Sequence, residues 1–180
     1  MNEEISKAIE HLNNGGVILY PCDTIWGMGC DATNQTAIDK IYAIKKRKRT
    51  SPLICLLSDF KMAEKYLSIS SKIKSFLNSQ KRPTTVVFDK VKNLETYKNS
   101  IAIRIPNDKF CIRLISKFGK PITSTSVNFS GKNYPEYFKD IDQGILNQID
   151  YAVNLRRNEK LKNPSKIIKI KGNSIVTLRE

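Results

Sequence analysis

Two clusters in this chain have the residue types needed to hold a polyanion. Lys45, Lys46, Arg47, Lys48 and Arg49 form an unbroken cationic run, and Ser124-Thr125-Ser126-Val127-Asn128-Phe129-Ser130-Gly131 is crowded with hydroxyls around one amide. Lys45 and Arg47 supply fixed positive charge, while the Ser124, Ser126 and Asn128 side chains and nearby backbone N–H groups supply hydrogen bonds. That combination suits a triphosphate. A P-loop is absent, because Gly15-Gly16 lacks a following Gly-Lys-Ser/Thr and Gly131-Lys132 is followed by Asn133. The only histidine is His11, and Cys22, Cys30, Cys55 and Cys111 are scattered without a Cys-x-x-Cys pair. The cysteines therefore read as small buried hydrophobes, and no protein side chain is assigned as a metal ligand. Catalysis without histidine has to rest on positioning and electrostatics.

Each cluster also has a plainer account. A cation near a helix C-terminus answers the macrodipole, worth ~0.3–1 kcal/mol, and by spacing alone a solvated patch is the favoured reading of residues 45–49. Ser, Thr, Asn and Gly gather in ordinary turns for backbone reasons. The elements that must position these residues narrow the choice. Ile38, Ile41 and Tyr42 mark the inner face of a helix, and Lys45, four residues beyond Ile41, continues that face and points inward. Pro121 to Ser126 reads as a strand leading into the hydroxyl-rich segment.

Upstream, Ile5, Ala8, Ile9 and Leu12 share one helical face that ends at Asn13-Asn14-Gly15-Gly16. The apolar run Val17 to Tyr20 is stopped by Pro21, which places Pro21-Cys22-Asp23-Thr24 in a loop at a strand end. Further strands are expected at 53–57, 84–88, 101–105, 165–170 and 174–178, with helical segments near 62–67, 73–77 and 107–118. In Ile101-Ala102-Ile103-Arg104-Ile105 the isoleucines share one face, which leaves Ala102 and Arg104 on the other. The expected class is α/β: a twisted mixed β-sheet with helices and an open, concave, basic face. Residues 160–164 are expected to form a mobile loop.

Together with a third segment, Leu19-Tyr20-Pro21-Cys22-Asp23-Thr24-Ile25-Trp26-Gly27-Met28-Gly29-Cys30, the two clusters resemble in order and spacing the YrdC-like family of threonylcarbamoyl-AMP synthases. The family's pattern is a Lys-x-Arg pair followed much later by Ser-x-Asn. The resemblance spans essentially the whole chain and implies a single YrdC-like domain over 1–180 with no C-terminal second domain. The implied reaction is that of an L-threonylcarbamoyladenylate synthase, a nucleotidyltransferase that joins L-threonine, bicarbonate and ATP, with Mg2+, into threonylcarbamoyl-AMP and pyrophosphate. The product serves a tRNA-modifying threonylcarbamoyl transferase complex that makes t6A37. Carried over by motif, Lys45 and Arg47 are catalytic and hold ATP with Ser124, Ser126 and Asn128, while Thr24 and Arg104 bind threonine. Asp23 is better placed to orient its loop than to act as a base. On this reading, Lys45→Ala or Arg47→Ala abolishes turnover with little loss of fold.

The chain departs from the family at several points. Cys22 replaces a Thr, Trp26 a Tyr, and Lys48 stands where Pro is common. Lys81-Arg82-Pro83-Thr84-Thr85 only partly matches Pro-Gly-Pro-x-Thr, and Ser165-Lys166 replaces Ser-Thr. These departures put phosphate contacts from those two loops in doubt, and Arg179, which matches a late family arginine one residue from the chain end, is left open between that match and simple disorder.

The 180 residues carry 31 Lys plus Arg against 17 acids, a net charge of +14, which attracts phosphate-rich partners. ATP and tRNA fit, and so does a Lys-rich composition with no functional meaning. The alternative function is a double-stranded RNA or tRNA-binding module without catalysis; with 8% aromatic residues, base stacking has little to work with. No apolar run approaches the roughly 20 residues of a membrane span. The acidic start Met1-Asn2-Glu3-Glu4 is unlike a secretory signal, so a cytoplasmic location is expected.

Overall fold

The structure is a computed structural model that describes residues 1–50, 52–97, 100–171 and 174–180. Helix α1 (Asn2–Asn13) buries Ile5, Ala8 and Leu12, the stripe that its 3.6-residue period aligns. Strand β1 (Ile18–Tyr20) follows, then the loop around Asp23, strand β2 (Gly27–Gly29) and helix α2 (Gln35–Lys45). The middle of the chain adds β3 (Ile54–Leu56), α3 (Phe60–Glu64), α4 (Ser71–Asn78), β4 (Thr84–Phe88), β5 (Ile101–Arg104) and α5 (Lys109–Phe118). The last third contributes β6 (Ile122–Ser126), α6 (Gln143–Leu146), β7 (Tyr151–Ala152), β8 (Lys166–Lys171) and β9 (Ser174–Arg179). Asn34, Asp59, Ser70 and Asp108 each cap a helix by accepting a backbone N–H of its first turn.

Among the described residues, nine strands join one mixed sheet in the order β7-β1-β2-β6-β3-β5-β4-β8-β9. The β1/β7, β3/β5 and β4/β8 pairs are parallel and the others antiparallel. Two consequences bear on function. The pairing of β6 with both β2 and β3 sets the hydroxyl-rich strand at the centre, and β5 lies beside β3 with Leu56 opposite Arg104.

The expected strands over 53–57, 84–88, 101–105 and 121–126 all form, as do the late pair. Strand β2 is an addition to them, since Gly-Met-Gly lacks strand-forming side chains. Its glycines are there for close approach: a Cβ on Gly29 would lie 2.1 Å from the Thr123 carbonyl oxygen, so only glycine lets β2 and β6 meet. Residues 160–164 are pinned rather than loose, contrary to expectation. Leu161 is buried, its N–H donates to the Glu136 carbonyl at 2.8 Å, and the Tyr134 hydroxyl donates to the Lys162 carbonyl at 2.9 Å.

Gly119, which closes α5 at φ +76 with open space where a Cβ would point, offers a contrast to Gly29. Gly119→Ala is expected to cost about 1–2 kcal/mol through the left-handed backbone alone. Gly29→Ala should cost about 3 kcal/mol or more, because two strands must separate. Urea unfolding midpoints check both, and equal losses would contradict the close approach of β2 to β6.

Candidate functional site

Helix α2 ends in a way that separates the two cations of its Lys-x-Arg pair. Lys46 caps it in the left-handed conformation, φ 51, unusual for a residue with a Cβ. Lys45, the last helical residue, stays on the inner face and is only 1% exposed. Arg47, beyond the turn, lies on the wall of a cleft.

The buried Lys45 amine is met by neutral oxygens. Its Nζ donates to the Ser126 carbonyl, to the Asn128 carbonyl at 2.7 Å and to Asn128 Oδ1 at 3.2 Å, and its own carbonyl accepts from the Ser130 N–H at 2.9 Å. Asn128 Oδ1 also accepts from the Ser126 hydroxyl, and its Nδ2 donates to the Lys132 carbonyl. Lys45 thus fastens the segment after β6 to the end of α2. Burial, reinforced by the Arg47 charge, pulls its pKa down to about 7.

Arg104 ends β5 and is 4% exposed. Its guanidinium forms an ion pair with Asp23 Oδ1 and donates to Cys22 Sγ at 3.2 Å and Thr24 Oγ1 at 3.3 Å. Its Nε is buried without a hydrogen-bond partner. Burial opposes the charge on both members of the pair. The Cys22 sulfur and Asp23 outweigh it and raise the Arg104 pKa, while Arg104 in turn lowers that of Asp23. The second Asp23 oxygen accepts from the Asn107 N–H at 2.9 Å. Asp23 therefore holds its loop against the end of β5, in keeping with an orienting role rather than that of a base.

The cleft between these groups measures about 510 Å³. Thr24, Arg47, Arg104, Ser124 and Ser126 all line it, so five of the seven sequence-predicted residues converge on one cavity. Lys45 and Asn128 stand one layer behind, acting on Ser126. Ile54, Val87, Ala102, Ile167 and Leu178 add apolar lining, and no carboxylate lines it among the described residues. Magnesium would find no anionic protein ligand there, and no group of three His, Cys, Asp or Glu side chains suited to a metal occurs among the described residues.

Of the two readings left open for Arg179, the structure favours the match over disorder. Arg179 lies in β9, lines the cleft and donates to the Ser165 carbonyl at 2.7 Å, while Ser165 Oγ shares a 2.8 Å hydrogen bond with Thr85. The two loops whose sequences depart from the family are thereby side by side, with Thr84 opposite Lys166. The signal in the sequence is an arginine directly after the β-forming run Ile175-Val176-Thr177-Leu178, which is weak without the strand's partner.

The Sua5/YciO/YrdC family model, described as telomere recombination, matches residues 10–180. The chain belongs to this family. Over 99% of its length it is 33% identical to a Methanocaldococcus jannaschii protein provisionally named threonylcarbamoyl-AMP synthase, covering 87% of that protein. It is 34% identical to the threonylcarbamoyl-AMP synthase of Pseudoalteromonas translucida, over 83% of this chain and 84% of that one. Among solved structures, P. abyssi Sua5 in complex with L-threonine shares the fold with a TM-score of 0.83 at 23% identity, over 97% of this chain. The chain spans 53% of that longer protein. No described helix is long and apolar enough to cross a membrane.

The different settings of Lys45 and Arg47 revise the expectation that both can be removed without harm to the fold. Lys45→Ala empties a buried position and takes the amine from the Asn128 carbonyl, while the Ser126 carbonyl keeps the Asn128 N–H at 3.1 Å, and is expected to lower stability by about 2 kcal/mol or more. Arg47→Ala, on the cleft wall, is expected to stay within about 0.5 kcal/mol of the parent protein. Thermal and urea unfolding of the two variants check this, and similar losses would contradict the assigned geometry.

Proposed function

We propose that the protein is an L-threonylcarbamoyladenylate synthase, which forms threonylcarbamoyl-AMP and pyrophosphate from L-threonine, bicarbonate and ATP. The observation that carries this reading is the convergence of Arg47, Arg104 and Arg179 with Ser124 and Ser126 on one cleft without a lining carboxylate. Names of relatives in the family support it.

In this reading the triphosphate lies along Arg47, Ser124 and Ser126, with the apolar lining available to the adenine. Arg47 neutralises charge as it builds on pyrophosphate. Lys45 and Asn128 keep the Ser126 segment in place, and Lys45 adds charge from behind it. Arg179 and Ser165 close the opposite wall. With no carboxylate on the cleft among the described residues, magnesium would have to be brought by ATP itself, and it would supply further neutralisation of the leaving group.

Threonine occupies the Thr24 and Arg104 end. Its carboxylate suits a guanidinium already fixed by Asp23, and its amine, once carboxylated, presents a carbamate oxygen to the α-phosphorus. Attack forms the P–O bond, the bond to the bridging oxygen breaks, and pyrophosphate leaves. Positioning of two reactants can contribute about 7–11 kcal/mol, which makes the lack of a histidine base tolerable. The tRNA-modifying complex downstream receives the adenylate. The rival RNA-module reading calls for several aromatics on the basic face, whereas Tyr134 is the one aromatic lining this cleft among the described residues.

Pyrophosphate release is expected to require L-threonine, bicarbonate and MgATP together, and mass spectrometry should find threonylcarbamoyl-AMP. Arg47→Ala should reduce release by about 100-fold or more. Release that is indifferent to threonine, or none by folded protein, would contradict the assignment; salt-sensitive RNA binding unaffected by ATP would favour the module.

A further inference from the structure

Cys22 and Cys111 lie 89 positions apart in sequence, yet their sulfurs are 3.5 Å apart. Cys22 comes from the loop after β1. Cys111 comes from the first turn of α5, where its N–H is held at 2.8 Å by the capping carboxylate of Asp108. Both side chains are buried, and both are free thiols. Cys22 does not line the cleft but backs Arg104, which does: Arg104 Nη2 donates to its sulfur, and its thiol donates to Asp23 Oδ1 at 3.0 Å.

The two sulfurs are chemically unequal. A hydrogen bond from Cys111 lowers the Cys22 pKa, with help from the Arg104 charge and against the effect of burial. Burial and the same contact with Cys22 push the Cys111 thiol well above its usual value. Asp23, to which the Cys22 thiol donates, opposes that lowering, so the case for the pair rests on its geometry: two free sulfurs in contact, one beside the Arg104 guanidinium.

We propose that Cys22 and Cys111 are a redox modification site, closing to a reversible disulfide on exposure to a peroxide and thereby disarming the Arg104 end of the cleft. The Cys22 thiolate attacks a peroxide oxygen, the O–O bond breaks, and the departing hydroxide takes a proton to become water, leaving a sulfenic acid. The Cys111 sulfur then attacks the Cys22 sulfur. The S–O bond breaks, the S–S bond forms, and hydroxide leaves with the Cys111 proton as a second water. Two thiols are oxidised and one peroxide is reduced. The sulfurs must close to about 2.05 Å, a shift of about 1.5 Å.

Closing the bond weakens one of the three hydrogen bonds that hold the Arg104 guanidinium, the one to Cys22, and moves the sulfur that it contacts. The disulfide has no S–H for Asp23 and is a poor acceptor for Nη2, and Arg104 already has a buried Nε without a partner. A guanidinium so deprived must reorient, and the Thr24 side of the cleft changes with it. This consequence rests on the proposed function, whereas the bond itself does not.

The test is hydrogen peroxide treatment of the full chain, followed by thiol counting under denaturing conditions, peptide mapping and threonine-dependent pyrophosphate release. The expected result is loss of two of the four thiols, a peptide linking Cys22 to Cys111, a mass lower by about 2 Da, and release at least about tenfold lower, all restored by dithiothreitol. Cys111→Ser should instead accumulate a dimedone-reactive sulfenic acid at Cys22. Absence of the linked peptide, or a bond between other cysteines, overturns the inference. A linked peptide with unchanged release overturns the disarming of Arg104. A reduced protein that never releases pyrophosphate counts against the proposed function, while the peptide map still decides the bond.

Discussion

The cleft is built around one ammonium group that has almost no contact with water. Lys45 has only the oxygens of Ser126 and Asn128 to balance its charge, and its burial is enforced by the same helical stripe that seats Ile38 and Ile41 in the core. A neutral apolar side chain would satisfy the core but leave the Asn128 carbonyl without this donor and lose the tie to the Ser126 segment. The amine therefore fixes where α2 ends and where the segment after β6 runs. Burial and the Arg47 charge pull its pKa down to about 7, so its protonation is sensitive to an arriving anion.

The opposite end of the cleft is held by a different device. Arg104 and Asp23 are a buried ion pair, costly to desolvate, with hydrogen bonds to Cys22, Thr24 and the Asn107 N–H that leave only Arg104 Nε of the guanidinium unpartnered. Such a pair contributes little net stability, but it fixes the orientation of a guanidinium at the cavity wall. The sheet order makes the two devices neighbours: β6 carries Ser124 and Ser126, β5 carries Arg104, and β3 lies between them. One end thus offers a cation whose charge responds to ligand, and the other a cation permanently charged.

Much of this is legible in the residue pattern. Lys45 reads as inward-facing from its spacing to Ile41, Ala102 and Arg104 separate from the isoleucines by strand alternation, and most strands follow from apolar runs. The rest depends on contacts that no local pattern encodes. Lys46 adopts a left-handed cap that a lysine does not advertise, so the different fates of Lys45 and Arg47 stay hidden in the sequence. Strand β2 exists because Gly29 lets its backbone touch that of β6 and Gly27 makes room for the Tyr20 ring, and Arg179 joins the site only because β9 pairs with β8 beside β4. The Cys22 and Cys111 sulfurs meet through the docking of α5, which nothing near either cysteine foretells.

The most direct test of the role given to Lys45 is calorimetric titration of MgATP at pH 8 in buffers of differing ionisation enthalpy. At that pH the Lys45 amine is largely neutral in the free protein, and an arriving polyanion favours its charged form. The predicted result is proton uptake approaching one per ATP bound, declining as the pH falls below 7 because the amine is then already protonated. Heats that do not vary with the buffer would contradict the central place of Lys45.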